Sequence, residues 1–260
     1  MQTLANNHAL ITGGSRGIGA AITQELCSLG ARVTLLSRNE VLLKESVKEL
    51  NERFPLSGGN RHDYIAYDLS HPHDMLSCLR KQHWNQFTSA NILINCAGMT
   101  QTSLLINTPP EQISDIINVN LVSPILLCKF FAKNVLRSKN KRSTDATLAL
   151  AIPPSPAIVN ISSVVAEVGG VDLVGSTVYT SSKAGLSRFT DSLRAELRAI
   201  AAKRPGGVAG VLSERLLCVQ PGLVAETAMG RGVVAGGGGS GLLRQERAGD
   251  IARGIARWLS

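Results

Sequence analysis

Aromatic side chains make up only 4% of the 260 residues, and no basic run is interleaved with them. That scarcity argues against the stacking platforms of single-strand nucleic-acid binders. Cysteine is sparse too. Cys27, Cys78, Cys96, Cys128 and Cys218 stand singly, with no C-x-x-C pair and an odd count. Neither a disulfide framework nor a zinc module is expected, and a reducing compartment fits. No uncharged apolar run approaches the roughly 18 to 20 residues of a spanning helix, so membrane insertion is not expected. Seven residues precede the first apolar run near His8, short for a secretory signal or an Arg-rich transit peptide. Acids are outnumbered, 19 against 27 Lys plus Arg, for a net charge of +8. A surface of that sign favours anionic partners, such as a phosphorylated cofactor or an acidic protein.

What is present is a core and an alternation. Hydrophobic residues reach 44%, enough for a substantial interior. Short apolar runs at Ala9–Ile11, Val33–Leu36, Tyr64–Tyr67, Ile92–Ile94, Ala157–Ile161 and Leu216–Val219 alternate with helical patterns. This predicts an α/β fold with a doubly wound parallel sheet. Between the first two strands Ile18, Ala21, Ile22, Leu26 and Leu29 fall at helical spacing, and Gly30 sits where a left-handed stop belongs. Thr108-Pro109-Pro110-Glu111 reads as a capped start for one long apolar helix running to about Leu136. Two stretches depart from the alternation: 137–156, read as a surface insertion, and 230–241, with seven glycines in twelve residues, read as a lid or connector. No internal repeat or dividing linker is seen, so residues 1–260 are expected to form one domain.

Three local patterns carry chemistry. Thr12-Gly13-Gly14-Ser15-Arg16-Gly17-Ile18-Gly19 lies between a strand and a helix, where glycines permit a tight turn and let a pyrophosphate approach the helix N-terminus. The second strand ends in Leu36-Ser37-Arg38-Asn39 with no acid to take ribose hydroxyls. Arg38, with Arg16 from the glycine loop, suits a 2′-phosphate, favouring NADP over NAD, although Glu40 is near. Tyr179 and Lys183 are four apart on one helix face, where an ammonium lowers the pKa of a phenol and makes it usable in proton transfer. His71-Pro72-His73-Asp74 has superficial ligand spacing but sits in a Pro-containing loop without further ligands, so no metal is expected.

The glycine loop, Asn95-Cys96-Ala97-Gly98 after the fourth strand, and the Ser-Tyr-Lys set together resemble the short-chain dehydrogenase/reductases over about residues 8–229. The resemblance implies a Rossmann-type domain in which Tyr179 is the general acid and Ser163 polarises a carbonyl. It implies that Lys183 holds the nicotinamide ribose and lowers the Tyr179 pKa, and that Asn120 supports a proton-relay water. For the cofactor it implies contacts from Gly13, Ser15, Arg16, Gly17, Ile18, Gly19 and Arg38, and from Asp68 and Leu69 on the adenine side. Asn95, Ala97 and Gly98 would line the ribose, and Pro221, Gly222, Val224 and Thr227 would face the carboxamide. Ser162 beside Ser163 leaves two hydroxyls competing for one role, with Ser163 preferred.

Departures from the family pattern are a longer Ser163-to-Tyr179 interval, one additional residue in Pro221–Thr227, and no final strand after Trp258. Extended similarity around Leu93–Gln101 and Ser176–Thr190 looks like the fungal mitochondrial 3-oxoacyl-[acyl-carrier-protein] reductases. That implies NADPH-dependent reduction of a 3-oxoacyl thioester in type II fatty-acid synthesis, in the mitochondrial matrix or alternatively the cytoplasm. Acidic acyl-carrier protein is the implied partner, with Lys129, Lys133, Arg137, Arg194, Arg198, Lys203 and Arg204 as the candidate docking face. A homo-oligomer is also expected. The alternatives are a reductase of a quinone, steroid or small ketone, and a non-catalytic NADP-binding assembly partner.

Overall fold

All six apolar runs form strands of one parallel sheet: β1 (His8–Thr12), β2 (Arg32–Ser37), β3 (Asp63–Ala66), β4 (Ile92–Asn95), β5 (Ala157–Ile161) and β6 (Leu216–Val219). The computed structural model describes residues 4–138, 155–167, 173–205, 207–227, 229 and 245–260. The interior of the insertion expected at 137–156 and the glycine-rich stretch at 230–241 lie outside them. Strand order is β3-β2-β1-β4-β5-β6, with Leu10 paired to Thr34 on one side and to Leu93 on the other. The order reverses between β1 and β4, so a crevice opens beyond the carboxyl ends of these two strands.

Alternate residues of each strand serve opposite layers. Ala9, Ile11, Val33 and Leu35 pack on one face with α1 (Gly17–Ser28), α2 (Glu40–Arg53) and the last helix, Ala248–Leu259. Leu10, Leu36, Ile65, Leu93 and Ile158 pack on the other with Met75 and Leu79 of α3 (Pro72–Gln82) and Phe87 of α4 (Trp84–Thr88). Covered on both faces, the strands read as apolar runs rather than as alternating ones.

Gly30 is the stop that the sequence suggested. Its φ is +87°, its N–H donates to the Cys27 carbonyl (2.9 Å), and Ala31 N–H donates to Leu26 (3.0 Å). This pair of bonds closes α1 with a left-handed turn. A Cβ at Gly30 would meet Ala5 at 3.6 Å, ordinary contact, so the only penalty for Gly30→Ala is the backbone angle. The variant is expected to lose about 1 to 2 kcal/mol, read as a lower urea midpoint at unchanged m-value.

The long apolar helix differs from expectation in two ways. It begins at Pro110, and Thr108 is not its cap: the Thr108 hydroxyl donates to the Leu104 carbonyl (2.9 Å) and accepts from Gln101 (3.1 Å). Two successive prolines already fix the chain direction, and a buried threonine finds its partners behind it. The helix also divides into α5 (Pro110–Ile117), a wide π turn (Asn118–Val122) and α6 (Ser123–Ser138). Pro124 supplies the reason. It has no N–H to offer the Asn120 carbonyl, and its ring would collide with that carbonyl in a regular helix. Past β5 come α7 (Thr177–Lys203) and α8 (Val208–Glu214), and after β6 the closing helix α9 (Ala248–Leu259). Among the described residues the sheet ends at β6, and Leu223 makes an isolated bridge to Gln245.

Candidate active site

The glycine loop lies against the exit of β4. Gly13 has φ +67°, and a Cβ there would stand 2.8 Å from the Ala97 Cα; one at Gly19 would stand 2.2 Å from the Gly13 carbonyl. Neither position can hold a side chain without moving backbone. Thr12 Oγ1, a contact that sequence reasoning missed, accepts from the N–H groups of Cys96 and Ala97, both at 3.0 Å, and ties the two loops together. α1 opens at Gly17 behind Arg16, with no side-chain cap and no acid in its first turn. Ser15, Arg16, Gly17 and Ile18 therefore surround a helix N-terminus whose leading N–H groups suit an anion. The Thr227 methyl carbon lies 3.3 Å from where a Gly17 Cβ would be, so the 221–227 segment borders the same loop.

That segment is fastened on both sides. Pro221 accepts from Val164 N–H (3.1 Å), Gly222 N–H donates to Glu246 (3.2 Å), and Thr227 folds back on the Val224 carbonyl through its hydroxyl (2.8 Å). At the ends of β2 and β3, Arg38 is exposed and near Asp68, while Leu69 is buried. Burial raises the Asp68 carboxyl. The Ser70 N–H and hydroxyl, Arg38 and His71 outweigh it and hold the pKa below the usual carboxylate value. Glu40 is engaged by Lys44 (2.9 Å) and the Tyr64 hydroxyl (3.4 Å), while Asn39 caps α2.

Asn95 is placed otherwise than the sequence suggested. Its side chain points into the protein, donating to Asn160 (2.8 Å), which in turn donates to Thr190 (2.9 Å). A ribose contact through that amide is not available; Asn95 braces β4 against β5 and α7, while exposed Gly98 lines the crevice.

Asn120, Ser163, Tyr179 and Lys183 converge around Gly98. A Cβ there would lie 3.5 Å from Asn120 Oδ1 and 3.6 Å from Lys183 Nζ. Asn120, fully buried in the wide turn, accepts from Met99 N–H (2.7 Å) and donates to the Met99 carbonyl (2.8 Å) and to Ser182 (3.0 Å). Its side chain fixes the loop, so any support for a water falls to its main-chain carbonyl. Lys183 is buried, with Nζ donating to the Ile161 carbonyl (2.8 Å) and lying 5.9 Å from the Tyr179 ring centre. The two adjacent serines separate cleanly. Ser162 is consumed by the Lys183 carbonyl (2.9 Å) and Ser187 (2.8 Å), whereas the Ser163 hydroxyl faces Tyr179.

Electrostatics correct one expectation. Burial pushes the Tyr179 phenol above its ordinary value, opposed only by the Ser163 hydroxyl, and Lys183 does not lower it. The ammonium is directed at a carbonyl instead, and burial pulls Lys183 itself down to about 8.

Comparisons with known proteins point to one family. The short chain dehydrogenase family profile matches residues 7–235. The chain is 29% identical over 230 residues to the 3-oxoacyl-[acyl-carrier-protein] reductase FabG of Chlamydia muridarum, covering 88% of this chain and 78% of that one. It is 32% identical over 189 residues to carbonyl reductase family member 4 of Danio rerio, covering 73% and 68%. Among solved structures it is similar to a metagenomic short-chain oxidoreductase in complex with NADP, with TM-score 0.68 and 26% identity, covering 98% and 91%.

Proposed function

The chain belongs to the short-chain dehydrogenase family, and we propose that it is an NADPH-dependent reductase of 3-oxoacyl thioesters carried on acyl-carrier protein. The observation that carries the reading is the meeting of Ser163, Tyr179 and Lys183 beside Gly98, at the mouth of the same crevice as the glycine loop. The residues present fit the cofactor: Gly13 and Gly19 admit no side chain, and the uncapped start of α1 offers N–H groups to phosphate. Gly13, Ser15, Arg16, Gly17, Ile18, Gly19, Asp68, Leu69, Ala97, Gly98 and Lys183 would hold it, with Arg38 at a 2′-phosphate. Pro221, Gly222, Val224 and Thr227 would close the nicotinamide end. When bound, the reduced nicotinamide supplies a hydride.

The protein's part is the proton. A carbonyl oxygen received between Ser163 and Tyr179 accepts a hydrogen bond from each hydroxyl. Ser163 draws charge onto that oxygen, and Tyr179, kept protonated at neutral pH by burial, gives it the proton. Lys183, one helical turn away with its Nζ on the Ile161 carbonyl, would hold the nicotinamide ribose. The Asn120 carbonyl is an acceptor for a water that returns the proton.

Arg38→Ala tests the cofactor assignment. It is expected to weaken NADPH binding by about 10- to 100-fold while leaving NADH binding within about two-fold, measured by nucleotide fluorescence titration.

The thioester substrate rests on the name of the Chlamydia relative and on positive charge. Lys129, Lys133 and Arg137 are exposed along α6, as are Lys203 and Arg204 at the end of α7. Arg194 and Arg198 are weaker candidates than their charge suggests, because Asp191 (2.8 Å) and Glu214 (3.1 Å) already pair with them. The compartment on this reading is the mitochondrial matrix. A second reading, reduction of a free ketone, is favoured by the Danio relative's name. NADPH oxidation with acetoacetyl-carrier protein, the same thioester on pantetheine, and a simple ketone decides between them. Strong preference for the carrier-bound substrate supports the first, preference for the ketone supports the second, and NADPH binding without turnover returns the protein to a non-catalytic role.

A further inference from the structure

Catalysis by Tyr179 requires that the first turn of α7 be held in place, yet α7 does not cap itself. Ser176 stands at the N-cap position and makes no capping bond; its hydroxyl bonds the Leu173 carbonyl and Thr180 (3.2 Å) instead. The two donors that a cap side chain ordinarily satisfies are the second and third N–H groups of the helix, here those of Val178 and Tyr179. An acceptor for the first of them arrives from 77 residues away: Gln101 Oε1 accepts from Val178 N–H at 2.8 Å.

Gln101 is suited to that task because it has no freedom left. It is 6% exposed, and its Nε2 donates to the Ser103 carbonyl (2.8 Å) and to Thr108 Oγ1 (3.1 Å). Thr108 in turn is held by Leu104, just ahead of α5. The amide thus sits at a junction between the β4 exit and the helix that carries the phenol. Two residues before it, Asn120 grips both main-chain polar groups of Met99. The stretch from Gly98 to Gln101 is fixed at one end to the wide turn and at the other to α7. The distance from Gly98, where a ligand ring would rest, to the phenol is set by those two amides.

We propose that Gln101 is a positioning residue for the reaction: it acts as a remote cap of α7, fixing Tyr179 relative to the β4 exit, and it acts through Val178 without touching the reactants. The inference rests on Tyr179 being the proton donor. Gln101→Leu keeps the volume and removes all three bonds. Gln101→Glu keeps the acceptor for Val178 and, held neutral by burial, offers its O–H to the Ser103 carbonyl in place of the amide N–H.

Both variants are to be compared with the full-length wild type by steady-state kinetics, NADPH titration, and NMR hydrogen exchange at the Val178 amide of the protein without ligand. In Gln101→Leu we expect kcat to fall by about 10- to 100-fold with the carbonyl KM and NADPH affinity within about two-fold. Val178 should exchange about 10-fold faster or more, as a buried amide that has lost its acceptor. Gln101→Glu should recover most of the rate and the protection. Wild-type kcat and exchange in Gln101→Leu would overturn the proposal, and so would a loss of rate that only follows lost NADPH affinity or that Gln101→Glu fails to repair. Should the wild type reduce none of the carbonyls offered, the exchange comparison still judges the cap, and it is the reductase reading that fails.

Discussion

Tyr179→Phe is expected to lower kcat by about 10²- to 10⁴-fold while leaving NADPH affinity within about two-fold. The magnitude follows from what is removed. Burial raises the phenol above its ordinary pKa, so at neutral pH it carries the proton that a reduced carbonyl requires, and Ser163 only partly offsets that rise. Phe keeps the ring, which the Lys183 ammonium approaches from 5.9 Å, and deletes the acid alone. The direction of the shift also fixes a pH dependence. Oxidation of an alcohol by the same site must begin from the deprotonated phenol, so its rate should climb through the alkaline range while carbonyl reduction stays level near neutrality. Both are read from kcat profiles in the two directions. A Tyr179→Phe rate within about ten-fold of wild type would mean that the proton comes from another group.

Lys183→Met should remove activity and add stability. Burial lowers the Lys183 ammonium from 10.5 to about 8, so in the unfolded chain the same amine binds its proton more tightly. At pH 7 that difference costs the folded state about 3 kcal/mol. Met is close in volume and carries no charge; against its gain stands the donor lost to the Ile161 carbonyl, about 1 kcal/mol. A net gain of about 1 to 2 kcal/mol at pH 7 is expected, with kcat down by about 100-fold or more. Between pH 8 and 10.5 the unfolded wild type binds more protons than the folded form, so wild-type stability rises across that window and the variant lacks the rise. Urea unfolding at pH 7 and pH 10 measures both effects. A variant less stable at pH 7, with the wild-type pH slope, would show that Lys183 is not held against its charge.

Much of this was legible in the sequence, for identifiable reasons. The strands announced themselves because a doubly covered parallel sheet leaves continuous apolar runs. Gly13 and Gly30 were legible because their backbone angles admit little else. The spacing of Tyr179 and Lys183 survived because a helix fixes it. What escaped was direction. Asn95 lies in a recognisable motif, but whether its amide turns to the crevice or to Asn160 depends on a residue 65 positions away. Gln101 escaped for the same cause, since a lone polar residue after a strand gives no sign that it will cap a distant helix. The Tyr179 pKa was misjudged because sequence spacing shows a neighbouring charge and is silent about burial, which here is the larger influence. Thr108 fitted the pattern of a helix start, and a hydrogen bond behind it took the hydroxyl.

The wide turn at Asn118–Val122 has a meaning for the molecule's packing that is separate from Asn120. Ile116, Asn120, Pro124 and Cys128 are all buried, so from α5 into α6 the inward positions recur every fourth residue. A straight α-helix advances about 100° per residue, and a stripe drawn at intervals of four would wander about 120° around the barrel of the helix over those twelve steps. Five residues wound more loosely give back most of that rotation. The turn is a phase correction: it lets one rod keep a single side toward the sheet while carrying a periodicity that an α-helix cannot sustain. Wound as a regular α-helix over the same residues, the rod would swing the far half of its buried stripe, Phe131 and Val135 included, out of register with the strands beneath.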